Sequence, residues 1–247
     1  MRGGARLIKL VALLRQPTFR RTLLRHRVAA AVEHVGAIRF CTPATLLDVG
    51  ANKGQFSILA RMLWPDALIH AFEPLPAAAD RFAAVFRDDP RTCLHRVALG
   101  REAGTATFYV TDREDSSSLL QPGSGQKEAF GVGRKSEIEV PVVRLDGVVG
   151  WADLPRPILL KIDVQGGEQD VLRGIADLER LDFLYIELSF VELYEGQALF
   201  EEIREYLATR GFLLRDMFNQ AFTTRFGPTQ ADCLFVRNPS ADVEKQG

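Results

Sequence analysis

Leu46-Leu-Asp-Val-Gly-Ala-Asn-Lys-Gly-Gln-Phe-Ser57 is the stretch that decides the fold. A short apolar run, Thr45 to Val49, ends in Gly50, and a helical segment from Gln55 to Trp64 follows until Pro65 stops it. Near-continuous apolar character is what a parallel strand buried on both faces shows. Gly50 and Gly54 reach backbone angles that other residues avoid and let a ligand approach the chain closely. A helix beginning near Gln55 aims free N–H groups at the same point, which favours a carboxylate or phosphate.

The turn is not a P-loop, because no GxxxxGK[ST] is present. It is not the GxGxxG of a dinucleotide fold either, because Asn52 stands where the second glycine would be. Asn52 would crowd a pyrophosphate but can hydrogen-bond a carboxylate. Asp48, at the strand end, can order the turn and attract an ammonium group. A ligand with both carboxylate and ammonium is an amino acid, and the methionine end of S-adenosylmethionine fits.

Reading outward, strands alternate with helices. Ala67 to Phe72 is a second strand, Pro76 to Asp88 a helix, and Thr92 to Leu99 a third strand. This rhythm predicts a parallel, doubly wound α/β sheet. Glu73, in His70-Ala-Phe-Glu-Pro74, ends the second strand, where a carboxylate can accept both hydroxyls of a ribose. Residues 104–145 interrupt the pattern as an insertion. Thr105 to Val110 and Ile138 to Val143 alternate like strands with one exposed face. The polar Gly/Ser-rich stretch between them, Asp112 to Ser136, reads as a lid over the site. Beyond it, Ile158 to Val164 and Phe183 to Leu188 are strands, and Gly167 to Leu178 and Leu199 to Thr209 are helices. Phe212 to Met217 and Cys233 to Val236 follow with no helix between them, which predicts an antiparallel hairpin at the sheet edge.

Charged residues inside a buried strand are costly unless paired or functional. Lys161 and Asp163 share one side of such a strand, and Asp163 falls at its carboxyl end, where open α/β sheets bind ligands. Glu187 closes the next strand. Two carboxylates at neighbouring strand ends can serve as base and orienter, or can share a divalent cation. Asp163 is the first candidate base, Glu187 the second, and Lys161 a partner for a carboxylate or the acceptor. Ser117 and Ser118 of the lid, with Glu168 in the first turn of the following helix, are candidates to meet the acceptor. His26, His34, His70 and His95 show no metal-ligand spacing in sequence and read as structural.

The chain has 247 residues, 47% hydrophobic and 26% charged, with a net charge of -1. That suits one α/β domain with an appendage and gives no overall pull toward nucleic acid. The charge is uneven. Arg2, Arg6, Lys9, Arg15, Arg20, Arg21, Arg25 and Arg27 precede Val32 with no acidic residue among them, so residues 1–41 form a basic arm on an acidic body. Residues 7–38 read as helical, with apolar residues at helical spacing from Leu7 to Val35 and Pro17 separating two helices. The arm reads as a helical cap packed on the catalytic domain, residues 42–238; contact with an anionic lipid or membrane surface is the alternative. Cys41, Cys93 and Cys233 form no CxxC pair and read as reduced thiols. No apolar run is long enough to cross a membrane and no signal-peptide pattern is present, so a cytoplasmic location is expected. Residues 239–247 are polar and read as a flexible tail.

DVGANKGQFS, FEP, VALG, the SSSL loop, LDGVV, KIDVQGGEQDVLRG and IELSFVELY occur in an order that resembles the FkbM-type methyltransferase family over residues 42–237. The resemblance implies a Rossmann-like class I methyltransferase: a seven-stranded, mostly parallel sheet with a C-terminal antiparallel hairpin. It implies S-adenosylmethionine as cofactor and O-methylation of a sugar or natural-product hydroxyl in secondary metabolism. Carried over position by position, Asp48, Gly50, Asn52, Gly54 and Glu73 match the cofactor motif, and Ala98 lies where the adenine edge is met. Arg96 departs from the small polar residue usual at its position. The expected partner is a small-molecule or glycoside acceptor; a homodimer is left open. Three rivals stand against this reading. A nicotinamide-dependent oxidoreductase would share Glu73 and the first turn, but Asn52 and the closing hairpin disfavour it. A nucleic-acid methyltransferase would use the basic arm, against which the acidic body counts. A non-catalytic cofactor-binding module is the third.

Overall fold

The computed structural model describes residue 11 and residues 13–238. The tail at 239–247 and the first ten residues of the arm lie outside this range. In chain order the regular elements are α1 (Pro17–His26), α2 (Val35–Ile38), β1 (Thr45–Val49), α3 (Gln55–Leu63), β2 (Leu68–Phe72), α4 (Pro76–Val85), β3 (Thr92–His95) and β4 (Ala98–Leu99). They continue as β5 (Gly104–Thr111), α5 (Ser124–Phe130), β6 (Arg134–Val143), β7 (Ile158–Ile162), α6 (Glu168–Arg173), β8 (Phe183–Ser189), α7 (Phe200–Ala208), β9 (Phe212–Thr223) and β10 (Gly227–Arg237).

The main sheet has seven strands in the order β3-β2-β1-β7-β8-β10-β9. The first five are parallel, whereas β10 runs antiparallel to both β8 and β9. This is the Rossmann-like, mostly parallel arrangement with a closing hairpin that the sequence pattern predicts. All five residues of β1 and of β7 are buried, which is why both read as unbroken apolar runs. Alternation along each strand divides the core between the two faces. Leu47, Val49, Leu160, Ile162 and Ile186 join one cluster. Leu46, Leu159, Tyr185 and Leu234 join the other, together with Phe56 and Ile58 of α3. Leu13, Phe19, Val28 and Ile38 of the N-terminal segment are buried in that second cluster. The segment is therefore part of the core of the sheet's second face, not an arm standing clear of it. Each such large apolar side chain contributes roughly 1.5–3 kcal/mol by leaving water.

Four elements differ from the sequence expectation. The N-terminal segment is not helical throughout: Arg27 adopts a left-handed conformation (φ 57°), its N–H caps α1, and residues 27–31 run on irregularly. The strand expected over 92–99 is two strands. β3 belongs to the main sheet, whereas β4 leaves it to join β6 and β5 in a separate three-stranded sheet. The lid stretch is not structureless, since α5 lies within it and the Gly123 N–H donates to Leu193 O at 2.8 Å. The closing hairpin is longer than apolar content indicates, because β9 is a half-exposed edge strand rich in polar residues. Among the described residues, no helix is long and apolar enough to cross a membrane.

Candidate active site

A cavity of about 520 Å³ opens at the carboxyl ends of β1, β2 and β7. The 50–53 turn, Glu73 to Leu75, Val97 to Leu99, Ser117, Leu119, Leu120 and Asp163 to Gln165 line it. So do Arg27, Val28, Ala29, Ala31, Glu33 and His34 of the N-terminal segment.

The first turn is built by positive φ angles at Gly50 (73°), Asn52 (49°) and Gly54 (90°). The Gly50 and Ala51 N–H groups donate to Phe72 O at 3.0 and 3.1 Å, tying the turn to β2. A Cβ at Gly50 would run into the carbonyl oxygen of Asp163, so only glycine lets β1 and β7 splay around the turn. Gly54 plays a different part from the ligand contact expected of it. It does not line the cavity; it caps α3, and a Cβ there would stand 2.8 Å from Phe86 Cε2.

Glu73 lines the cavity and is held on both oxygens. Oε2 accepts the Asn52 N–H and Oε1 the Leu75 N–H, each at 2.8 Å. Each carboxylate oxygen keeps a lone pair for a further donor. Burial pushes its carboxyl up to about 7, against the pull of those two N–H groups. Asn52 Oδ1 is buried at the cavity wall with no hydrogen-bond partner among the described residues. An unsatisfied buried acceptor of this kind calls for a donor from a ligand. Ala98 lies on the opposite wall, on β4.

Asp48 departs from the role expected of it, whereas Lys161, which lines the cavity, pairs with a carboxylate as expected. Asp48 is 0% exposed and does not line the cavity, so it cannot meet a ligand ammonium. Its Oδ2 accepts from Ser57 Oγ at 2.6 Å, and Lys161 Nζ stands 3.1 Å from its Oδ1. The same ammonium donates to Gly50 O at 2.9 Å and Val49 O at 3.3 Å. Lys161 thus spends two donors on the turn and sets its charge beside Asp48. Burial works against the Lys161 charge, but Asp48 and Asp163 outweigh it and hold the ammonium above its ordinary value. Lys161 is a charged pin that holds the turn to β7.

Asp163 lines the cavity with its side chain 40% exposed. Glu187 stands beside it on β8 but does not line the cavity, because the Gln165 side chain covers it. The Gln165 amide donates to Asp163 Oδ1 and Glu187 Oε2, both at 2.7 Å. A single neutral NH₂ thereby bridges the two carboxylates. Burial, with Asp163, Asp232 and Glu168 nearby, raises the Glu187 carboxyl well above the usual range, so it favours the protonated form. Glu187 is half-buried and lies off the cavity lining, tied to Gln165. Gln165 holds a left-handed backbone (φ 60°), an uncommon conformation for a side-chain-bearing residue and one that tends to mark functional turns.

Of the remaining acceptor candidates, Ser117 lines the cavity, and its Oγ accepts the Thr111 N–H at 3.1 Å. Ser118 does not. It is fully buried, and its Oγ donates to Gln165 O at 2.7 Å, fastening the lid to the β7 turn. Glu168 is 2% exposed and accepts the N–H groups of Gly166 at 3.0 Å and Val164 at 3.3 Å. Burial pushes its carboxyl up to about 7. Both residues shape the turn from behind.

Sequence reasoning missed Gln165 and Asp232, read His34 as structural, and gave Tyr194 no role. Tyr194 is fully buried; its hydroxyl lies 2.8 Å from Ser116 O and accepts from Gln126 Nε2 at 3.0 Å. His34 carries no motif, and only the tertiary fold delivers it to the cavity. The structure also gathers His70, Cys93 and His95, whose donor atoms lie within 4.8 Å of one another at the β2–β3 edge, away from the cavity. Strand register makes this group, since His70 pairs with Cys93 and His95 follows two residues later on the same face. Two imidazoles and a thiol are donors that suit zinc.

A family profile described as the methyltransferase FkbM domain matches residues 48–214. The chain is 30% identical over 182 residues to Methyltransferase 1 of Beauveria bassiana, covering 68% of this chain and 71% of that protein. It is 33% identical over 170 residues to 2-O-methyltransferase NoeI of Sinorhizobium fredii, covering 66% and 70%. It is 31% identical over 196 residues to 31-O-demethyl-FK506 methyltransferase FkbM of Streptomyces tacrolimicus, covering 68% and 72%. The match spans the glycine turn, Glu73, the inserted sheet and the β7–β8 wall. The chain belongs to the FkbM methyltransferase family.

Proposed function

We propose that the protein is an S-adenosylmethionine-dependent O-methyltransferase acting on a hydroxyl of a sugar or small natural product. The observation that carries the reading is the pairing, in one cavity, of an anchored Glu73 carboxylate with the unsatisfied Asn52 Oδ1. The residues fit the cofactor. The remaining lone pairs of Glu73 suit ribose hydroxyls, Asn52 Oδ1 suits an ammonium, and Gly50 keeps the turn open. Relatives named for 2-O- and 31-O-methylation support oxygen as the accepting atom.

When bound, the cofactor's sulfonium supplies a methyl group already activated toward attack. The chain's own task is then alignment of the acceptor and exclusion of water. Asp163 and Gln165 offer an acceptor and a polar wall to a hydroxylated substrate. The lid, fastened through Ser118, closes the other side.

Calorimetric titration with S-adenosylmethionine and S-adenosylhomocysteine, with NADH as control, tests the cofactor. Micromolar binding of the sulfonium pair, lost in Glu73→Ala, is expected. Binding of NADH instead would overturn the reading. Methyl transfer from isotope-labelled cofactor to a panel of simple glycosides and polyols then tests the acceptor class; label appearing only on nitrogen or carbon acceptors would refute oxygen as the target.

A further inference from the structure

His34 reaches the cavity from the N-terminal segment, on the same wall as Gln55 and Phe56. Its ring is gripped edge-on by Phe56, with centroids 5.6 Å apart at 68°, and by Tyr185, 5.6 Å apart at 87°. Behind it lies Asp232 of β10, whose Oδ2 is 3.2 Å from His34 Nδ1. Tyr185 Oη is 2.9 Å from the same nitrogen. Asn219 Nδ2 donates to Asp232 Oδ2 at 2.8 Å and stands 3.3 Å from His34 Nδ1.

Burial opposes the Asp232 charge, but hydrogen bonds from His34, Asn219 and Tyr185 outweigh it and hold the carboxyl below its usual range. An ionised carboxylate only accepts, so it draws the imidazole proton to Nδ1. Nε2 then carries the lone pair, and no described residue bonds to it. A cavity-lining imidazole with one nitrogen fixed by a carboxylate and the other left over is the base-and-orienter arrangement of acid–base catalysis. Asp163 is less suited, because its Oδ1 accepts from Gln165 and its Oδ2 lies 3.9 Å from the Lys161 ammonium.

We infer that His34 is the general base of methyl transfer and that Asp232 is its positioning residue. The inference rests on the reading of this cavity as an O-methylation site. In the step, the acceptor hydroxyl oxygen forms its bond to the methyl carbon while its proton passes to His34 Nε2. The C–S bonding pair stays on sulfur. A sulfonium, an alcohol and a neutral imidazole thus become a thioether, an ether and an imidazolium, with charge conserved. The charged and titratable groups facing His34 are Asp232 on β10, Tyr185 on β8, Lys161 on β7 across the Phe56 ring, and Arg27 and Glu33 of its own segment.

The test has two arms on the full chain. Long-range ¹H–¹⁵N correlation spectra, with the His34 signals assigned by their loss in His34→Asn, report which nitrogen holds the proton. The Nδ1–H form is expected in the native protein and a shift toward Nε2–H in Asp232→Asn. A native Nε2–H form overturns the inference whether or not cofactor binds. In the second arm, methyl transfer to the best glycoside of the panel is followed against pH. Positioned acid–base help is typically worth ~10²–10⁴ in rate, and a loss of that order in kcat is expected for His34→Asn. Its S-adenosylhomocysteine affinity should stay within a few fold of native. Added imidazole should restore part of the rate to His34→Ala, which a merely structural defect would not allow. Undiminished turnover in His34→Asn refutes the base. Failure of the native chain to bind S-adenosylhomocysteine instead refutes the methyl-transfer reading.

Discussion

Lys161→Met removes the one cation that serves Asp48 and both carbonyls of the ligand turn. Asp48 is fully buried, and without Lys161 its only remaining partner among the described residues is the Ser57 hydroxyl. Deleting one member of a buried ion pair typically costs about 3–5 kcal/mol, because the other charge is left unpaired. The freed carbonyls of Val49 and Gly50 add to this. In a chain of this size each kcal/mol moves the midpoint by about 2–4 °C, so Tm should fall by about 6–20 °C. Differential scanning calorimetry and urea titration of Lys161→Met, Asp48→Asn and the double variant measure the coupling. The double variant should be more stable than Lys161→Met alone, since no unpaired charge remains. A loss under about 1 kcal/mol, or a double variant no better than the single, would show that Lys161 is not the pin described.

Gly50→Ala forces a Cβ at φ 73° against the Asp163 carbonyl, and S-adenosylhomocysteine binding should be lost or cut at least tenfold by calorimetry. Phe19→Ala should lower stability by about 3–5 kcal/mol in denaturant titration, the cost of emptying a large core site; a negligible change would show the N-terminal segment to be a detachable arm. Burial raises the Glu168 carboxyl from 4.5 to about 7, so its protonated form is favoured in the fold. Its contribution is therefore full below about pH 4.5 and lost as pH rises through about 7. Urea titrations at several pH values should show a flatter decline over that window in Glu168→Gln than in the native chain, and parallel profiles would sink the assignment.

The parallel half of the fold was legible because its physics is local. β1 and β7 are buried on both faces and so are written as unbroken apolar runs, and glycine marks the turn where a Cβ has no room. Glu73 was legible because its place at a strand end needs only the strand to be found. Asp48 was singled out for the turn, and Lys161 as a charge in a buried strand. Their mutual pairing depends on β1 lying beside β7 with Asp48 opposite Lys161, a register no local pattern states. Glu168 and Ser118 were polar residues near the site whose donors and acceptors turn inward to neighbouring backbone, which burial alone reveals. His34 and Asp232 come from opposite ends of the chain, and β10 had to be placed next to β8 before they could be seen to meet. The split of the expected third strand into β3 and β4 was hidden because both halves have strand-like composition and only pairing separates them.

β4 has a consequence for how this enzyme could change its diet. Ala98 and Leu99 form one wall of the cavity, yet their ladder partners are Val142 and Val143 at the end of the inserted hairpin. Leu75, Ala78 and Ala98 share an apolar cluster with Phe108, Val140 and Val142 of that insertion. Under the proposed function, the segment read as choosing the acceptor is thus stitched to the segment read as gripping the methyl donor. A chimaera spliced at residues 104 and 145 would cut that seam and weaken donor affinity even if the new loop suited its guest. A graft carried from residue 97 to residue 145 would transplant both sides of the seam together, so on that reading selectivity for the acceptor and hold on the donor would be inherited as one piece.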